Sequence, residues 1–65
     1  MDNTNYIKIR RLLKENLRGL TIQEISNKTK LARNTIMIIL ARMYGEKNIE
    51  LDKVGQAKLN KWIGK

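Results

Sequence analysis

The stretch LTIQEISNKTKLARNTIMIILARM, residues 20–43, decides the fold. Near its start, Thr21 and Glu24 have the spacing of a capping box, in which each side chain bonds the backbone N–H of the other residue. This pattern predicts a helix over about residues 22–28. The polar run that follows, residues 27–30, interrupts the apolar pattern and predicts a turn.

A second helix is predicted after the turn, over about residues 32–44. Leu31 resumes burial directly after the polar run. The next apolar residues share one helical face, and they are Ile36, Ile39, Leu40 and Met43. Because Gly45 follows this pattern, it predicts the end of the helix. The stretch therefore reads as two helices joined by a tight turn.

A longer helix is predicted before this stretch, over about residues 4–18, with Gly19 as its C-terminal stop. Its apolar residues recur at steps of three and four, and they are Tyr6, Ile9, Leu13 and Leu17. On the opposite side, three basic residues have the same spacing, namely Arg11, Lys14 and Arg18. We interpret this basic stripe as a solvated helix face.

After Gly45 the apolar period changes from that of a helix to that of a strand. Ile49 and Leu51 alternate with acidic residues, and Ala57 and Leu59 alternate with polar ones. Between these two runs, residues 54–56 have the composition of a turn. The pattern predicts a β-hairpin over about residues 48–62.

The end of the chain leaves an alternative open, because Leu59, Trp62 and Ile63 also suit a short helix. In either case we expect Trp62 to cover the core from the C-terminal side. The predicted fold class is α+β, with three helices followed by a β-hairpin in one domain over residues 1–65. A chain of this length buries only about 60% of its unfolded surface, so we expect modest stability.

The composition indicates a polyanionic partner. The chain has 14 Lys and Arg residues against 6 Asp and Glu residues, for a formal net charge of +8. A field of this sign attracts nucleic acid. A second interpretation is that a composition rich in Lys, Ile and Asn reflects an AT-rich genome.

The same composition leaves little material for catalysis. The chain has no His, no Cys and a single serine, Ser26, and its carboxylates are scattered among lysines. We therefore expect no enzyme activity, no metal site, no cofactor and no small-molecule ligand. The longest apolar run, residues 36–41, is far below the roughly 18 residues of a membrane span, and no targeting segment is evident. A cytoplasmic, nucleoid-associated protein is the expectation.

A short capped helix, a polar turn, a longer helix and a hairpin with a basic tip together resemble the winged helix-turn-helix transcription regulators of bacteria and archaea. The segments that carry the resemblance are residues 20–26, 31–36, 39–43, 49–50 and 54–57. In that family the second helix of the motif, the recognition helix, enters the major groove of DNA. The resemblance implies double-stranded DNA as the partner, with a homodimer as one arrangement on adjacent half-sites.

The resemblance also assigns roles by position. Four residues are implied to be structural, namely Ser26, Leu31, Ile36 and Ile39. The implied DNA-binding residues are Lys28, Thr29 and Lys30 in the turn, Arg33, Asn34, Thr35, Met37 and Ile38 on the recognition helix, and Lys53, Gln56 and Lys58 on the hairpin, or wing. Arginine forks onto guanine and asparagine onto adenine, whereas Met37 and Ile38 meet only thymine methyls or backbone. The lysines are expected on phosphates.

The sequence departs from the family pattern at two positions near the turn. Lys30 stands where the turn commonly has glycine, which costs about 1 kcal/mol if the backbone there is left-handed. Ala32 stands where a Ser or Thr usually caps the recognition helix, which forfeits roughly another 1 kcal/mol.

The outer face of the predicted recognition helix is unusually apolar for a base-reading surface. Asn34, Ile38 and Ala41 share this face, with Met37 beside them. Clustered exposed apolar residues also mark protein contacts. An alternative function is therefore a winged-helix interaction module that docks another protein, or a second copy of itself, through Met37, Ile38 and Ala41.

A third interpretation is a non-specific architectural DNA-binding protein, which the high charge permits. Proteins that coat single strands rely on aromatic stacking platforms. The three aromatic residues here are Tyr6, Tyr44 and Trp62, and we expect them in the core or at its boundary. This expectation disfavours single-strand coating.

Overall fold

Three helices precede a two-stranded antiparallel hairpin in the computed structural model, which describes residues 3–64. The elements are α1 (Thr4–Glu15), α2 (Ile22–Thr29), α3 (Arg33–Gly45), β1 (Ile49–Val54) and β2 (Ala57–Trp62). This α+β arrangement has the layout of a winged helix and confirms the predicted fold class. Within residues 3–64, no helix combines the length and the apolar character that crossing a bilayer requires.

One hydrophobic core joins the helices to the hairpin. Its buried side chains are Ile9, Leu13, Leu20, Ile25, Ile36, Leu40, Met43, Ile49 and Trp62. Each strand contributes one of them, Ile49 from β1 and Trp62 from β2, as expected for a tryptophan that covers the core. Burial of a large apolar side chain contributes roughly 1.5–3 kcal/mol, so the hairpin is part of the folded core and not an appendage.

The start of α2 is fixed by the predicted capping box. The Thr21 hydroxyl accepts a hydrogen bond from the Glu24 backbone N–H at 3.1 Å, and the Glu24 carboxylate accepts one from the Thr21 backbone N–H at 2.9 Å. Two N–H groups that the helix leaves unpaired are thereby satisfied. A cap of this kind stabilises a helix by about 1 kcal/mol.

The turn between α2 and α3 is built around a left-handed residue. Lys30 has φ 64° and ψ 19°, the conformation in which a glycine is favoured, and its N–H donates to the Ser26 carbonyl at 2.8 Å. The Ser26 hydroxyl donates in turn to the Leu31 carbonyl at 2.9 Å. Ser26 therefore ties α2 to the start of the next segment, in agreement with its predicted structural role.

Helix α1 ends three residues earlier than predicted, at Glu15 instead of residue 18. Asn16 follows with a non-helical backbone, its side-chain amide donates to the Leu12 carbonyl at 2.8 Å and its N–H donates to the Leu13 carbonyl. Asparagine competes in this way with continued helical bonding. As a result Leu17, the last residue of the apolar spacing predicted for this helix, lies beyond α1 and exposes 67% of its surface.

Gly19 was predicted as the stop of α1, but it has a different role. Its φ of 101° is accessible mainly to glycine, and a β-carbon there would lie 2.9 Å from the Leu59 Cβ and 2.9 Å from the Lys61 Cγ. The residue therefore lets the chain pass closely against β2.

The hairpin register determines which side of β2 faces the core. Ile49 pairs with Trp62 and Leu51 with Asn60, so the core side of β2 carries Trp62 and Asn60. Ala57 and Leu59 lie on the other side of β2, and the alternative of a short terminal helix is wrong, because β2 continues to Trp62. Asn60 is buried because it pairs with a residue far away in the chain.

That residue is Leu20, which lies outside the two strands and forms an isolated antiparallel β-bridge with Asn60 of β2. The backbone N–H of each residue donates to the carbonyl of the other, at 3.1 and 2.8 Å, and the Asn60 side-chain amide adds a third bond to the Leu20 carbonyl at 3.1 Å. The sequence carries no signal for this bridge, since a single residue shows no alternation.

Candidate nucleic-acid interface

The outer face of α3 carries the residues that the resemblance places on bases. Arg33, Asn34, Met37 and Ile38 are exposed, whereas Thr35 is half-buried. Met37 exposes 52% and Ile38 66% of their surface. The opposite face of α3 packs into the core. The predicted recognition face is thus open to a ligand, and its middle is apolar.

Arg33 is held in place by a residue of α2 that sequence reasoning missed. The Arg33 Nη2 donates to the Gln23 side-chain oxygen at 2.6 Å, and the Gln23 amide donates to the Asn27 side chain at 3.1 Å. Only one edge of the guanidinium is occupied, which leaves other N–H groups for a ligand. The one available signal was position, since Gln23 lies in the first turn of a capped helix.

The first turn of α3 has no side-chain cap. Ala32 occupies the N-cap in an extended conformation and offers no acceptor to the first N–H groups of the helix. The first-turn residues contain no carboxylate. The positive end of the α3 dipole is therefore not offset locally, next to Arg33.

The tip of the hairpin places two lysines directly opposite each other. Lys53 of β1 pairs with Lys58 of β2, and both are exposed. Within residues 3–64 neither forms an ion pair, since the two ion pairs there are Arg42 with Glu46 and Lys61 with Asp52. Opposed like charges destabilise a hairpin. A bound anion would relieve this repulsion.

A groove of about 610 Å³ lies between α3 and the hairpin. Its apolar lining includes Met37, Ala41 and Leu51, and its polar lining includes Arg33 and Lys58. Gln23 and Gln56 also line it, whereas no Asp or Glu does. The groove thus brings together four of the predicted site residues, Arg33, Met37, Gln56 and Lys58, whereas Asn34, Thr35, Ile38 and Lys53 do not line it.

The three predicted turn residues do not join this surface. The Thr29 hydroxyl donates to the Ile25 carbonyl at 2.7 Å and accepts from the Leu31 N–H at 3.3 Å, so it is engaged within the turn. Lys28 lines a separate recess together with residues of α1. Lys30 is exposed at the turn itself.

The titratable groups with shifted pKa values lie at the other end of α3. The Tyr6 hydroxyl donates to the Glu46 carboxylate at 2.5 Å, which raises the pKa of Tyr6 and lowers the pKa of Glu46. Arg42 stacks over the Tyr6 ring at 4.8 Å and lies 3.4 Å from Glu46. These contacts join the start of α1 to the end of α3. Tyr44, expected in the core or at its boundary, is instead 62% exposed.

Comparison with known proteins adds no assignment: no family model, no curated protein and no solved structure matches the chain. Within residues 3–64, no group of three or more His, Cys, Asp or Glu side chains is placed to hold a metal ion. The surface between α3 and the hairpin is distinguished by its shape and by its two cations, Arg33 and Lys58.

Proposed function

We propose that this protein is a DNA-binding transcription regulator of the winged helix-turn-helix type, which acts on the nucleoid in the cytoplasm without catalysing a reaction. The observation that carries the proposal is the groove between α3 and the hairpin, which combines Arg33, Lys58 and no carboxylate on one concave surface. A basic surface without carboxylates suits the phosphates of DNA, and its apolar side chains suit the thymine methyl groups in the major groove.

In this proposal α3 lies in the major groove. Arg33 forks onto the O6 and N7 of a guanine, and Gln23 orients it through the bond to its Nη2. Asn34 recognises an adenine, while Met37 and Ile38 meet thymine methyls. Lys53 and Lys58 neutralise phosphates beside the groove, which removes their mutual repulsion.

A titration against duplex DNA tests the proposal, with selection of the bound sequences from a random pool. The three cations assigned to this complex, Arg33, Lys53 and Lys58, give a slope of log affinity against log salt of about −2 to −3, because each neutralised charge contributes about −0.9. Discrimination over random duplexes is expected to reach about a thousandfold. A flat salt response removes the DNA-binding function, and a steep response without discrimination indicates a non-specific architectural protein instead.

Substitutions separate the two parts of the surface. Arg33→Ala or Asn34→Ala is expected to cost about 1–3 kcal/mol on the preferred duplex and much less on random DNA. Arg42→Ala is the matched control, because it removes an arginine from the far end of the same helix. Replacing Lys53 and Lys58 by Ala is expected to weaken binding to all duplexes. It is also expected to reduce the magnitude of the slope of log affinity against log salt by about 2, whereas Lys61→Ala leaves that slope unchanged.

A second candidate function is protein interaction or homodimerisation through the apolar part of the surface. It is favoured by the exposure of Ile38, which is 66%. Sedimentation of the protein alone tests it, with Ile38→Lys as the disrupting variant. A monomer whose Ile38→Lys variant binds DNA as well as the wild type contradicts both a dimer and an apolar base contact.

A further inference from the structure

Five basic side chains gather on the side of the molecule formed by α1 and the end of α2. This surface, the α1 basic face, consists of Lys8, Arg10, Arg11, Lys14 and Lys28. It takes no part in the groove between α3 and the hairpin, since none of the five residues lines that groove.

The face contains two shallow recesses that share one arginine. Lys8, Arg11 and Lys28 line a recess of about 340 Å³, and Arg10, Arg11 and Lys14 line one of about 260 Å³. Glu15 lines both recesses and is the one carboxylate in either lining. The five cations therefore face one neighbouring anion.

Within residues 3–64, none of these cations forms an ion pair. The two ion pairs in residues 3–64 involve Arg42 and Lys61, and neither belongs to the α1 basic face. Lys14 has one further contact, with its Nζ 5.5 Å from the centre of the Trp62 ring. Clustered surface cations of this kind create a positive field that attracts an external polyanion.

The α1 basic face and the groove beside α3 are separate surfaces of the molecule. Ile9 and Leu13 turn the inner side of α1 into the same core that receives Ile36 and Leu40 from α3. No residue lines both the groove and either recess of the α1 basic face, so we expect a duplex seated on α3 and the hairpin to leave the α1 basic face open.

We propose that the α1 basic face binds the phosphate backbone of a second DNA duplex, so that one protein molecule bridges two duplexes. Residues 8 to 14 span about 9 Å of helix axis, which matches about three phosphates along one DNA strand. The face carries no base-reading geometry, so its contacts are to phosphates and independent of sequence. This inference goes beyond the proposed function and rests on it for the first duplex.

A duplex fits this face better than an anionic membrane does. Helices that bind membranes insert a broad apolar face into the lipid. The apolar side of α1 is already buried in the core through Ile9 and Leu13. The large apolar side chain exposed among the cations is Ile7, at 42%. The α1 basic face can therefore bind an anion by neutralising its charge, but it has no broad apolar surface to insert into lipid.

A capture assay tests the bridge. One short duplex is tethered to beads, a second carries a fluorescent label, and the wild-type protein is expected to retain the labelled duplex at low salt. The variant Lys8→Gln with Arg11→Gln is expected to lose capture at least about tenfold, because two phosphate contacts disappear. Its affinity for a single duplex is expected to stay within about twofold, since α3 and the hairpin are intact. The matched control, Lys47→Gln with Lys61→Gln, removes the same charge and is expected to capture normally.

Each other outcome overturns the bridge. Capture that persists in the Lys8 and Arg11 variant shows that a dimer, not the α1 basic face, joins the duplexes. Absent capture together with weakened single-duplex binding in that variant places α1 on the same duplex as α3. Binding of the wild type to phosphatidylserine vesicles without capture of the second duplex assigns the face to membranes.

The Arg33 variant and the Lys8 and Arg11 variant together distinguish a failure of the bridge from a failure of the proposed function. If Arg33→Ala leaves single-duplex affinity and discrimination unchanged while the Lys8 and Arg11 variant loses capture, the base-reading role of α3 fails and the phosphate contact of α1 stands. If Arg33→Ala loses discrimination while capture never occurs, the bridge fails alone.

Discussion

The α2–α3 unit and the hairpin differ in how they are held. Bonds between residues close in the chain join α2 to α3, as when Lys30 donates to Ser26 and Ser26 donates to Leu31. The hairpin, by contrast, is anchored by the bridge from Asn60 to Leu20, across 40 residues. The part proposed to read bases is therefore braced locally, and the part proposed to hold phosphates depends on distant contacts.

Trp62→Ala is expected to lower the free energy of unfolding more than any other change considered, because it removes the contribution of β2 to the core. Truncation of a buried tryptophan costs about 3–5 kcal/mol. The Trp62 indole N–H is buried without an acceptor among residues 3–64, so we expect the lower end of that range. Urea unfolding measures the loss. The exposed Tyr44→Ala is the control, expected within about 0.5 kcal/mol of wild type, and a Trp62→Ala loss no larger than this would contradict the anchoring role.

A glycine at the turn should instead strengthen the α2–α3 unit. Lys30→Gly is expected to stabilise the protein by about 1 kcal/mol, because it relieves the left-handed backbone at φ 64°. Lys28→Gly, two residues earlier inside α2, is expected to destabilise it by about 0.5–1 kcal/mol. Thermal melts measure the change in melting temperature of each variant. Changes of opposite sign are expected if the strain lies at Lys30, and changes of the same sign would contradict it.

At the hairpin tip, stability and binding should move in opposite directions. Lys53→Glu turns a repulsive pair with Lys58 into an attractive one and is expected to stabilise the hairpin by about 0.2–1 kcal/mol. The same change is expected to weaken the complex with DNA and to reduce the magnitude of the slope of log affinity against log salt by about 1. Unchanged binding by a stabilised variant would remove Lys53 from the interface.

The smallest expected effect is on the dependence of stability on pH. The bond from Tyr6 holds the pKa of Glu46 below its ordinary value of 4.5, so the stability that this contact contributes is lost as the pH falls below that value. Glu46 in turn raises the pKa of Tyr6 above 10.0, and the corresponding stability is lost as the pH rises through that raised pKa. Tyr6→Phe is expected to flatten both ends of the melting-temperature profile. A profile identical to that of wild type would contradict the coupling.

The sequence predicted the locally determined parts of the fold well. The capping box at Thr21, the turn at Lys30 and the apolar face of α3 each depend on residues a few positions apart, and the structure contains all three. The end of α1 was predicted too late because the Asn16 side chain competes for helical carbonyls, which the apolar spacing through Leu17 does not reveal.

The parts that sequence reasoning missed depend on distant partners. Asn60 is polar and yet faces the core, since its amide satisfies the Leu20 carbonyl, and no local pattern contains that partner. The exposure of Arg33 and Asn34 followed from helical period, whereas the support of Arg33 by Gln23 needed the packing of α2 on α3. Lys28 shares a helix with Gln23 and faces α1 instead, a position that only the tertiary arrangement determines.

The bridge between Leu20 and Asn60 also bears on the order in which the molecule assembles. Closing a loop of 40 residues costs on the order of 3 kcal/mol of chain entropy, whereas the turn between α2 and α3 closes over a few residues. We therefore expect α2 and α3 to form early and the hairpin to dock after the transition state. Asn60→Ala should then accelerate unfolding and leave the refolding rate nearly unchanged. The lifetime of the folded molecule then depends on the bridge between Leu20 and Asn60, and neither residue is proposed to touch DNA.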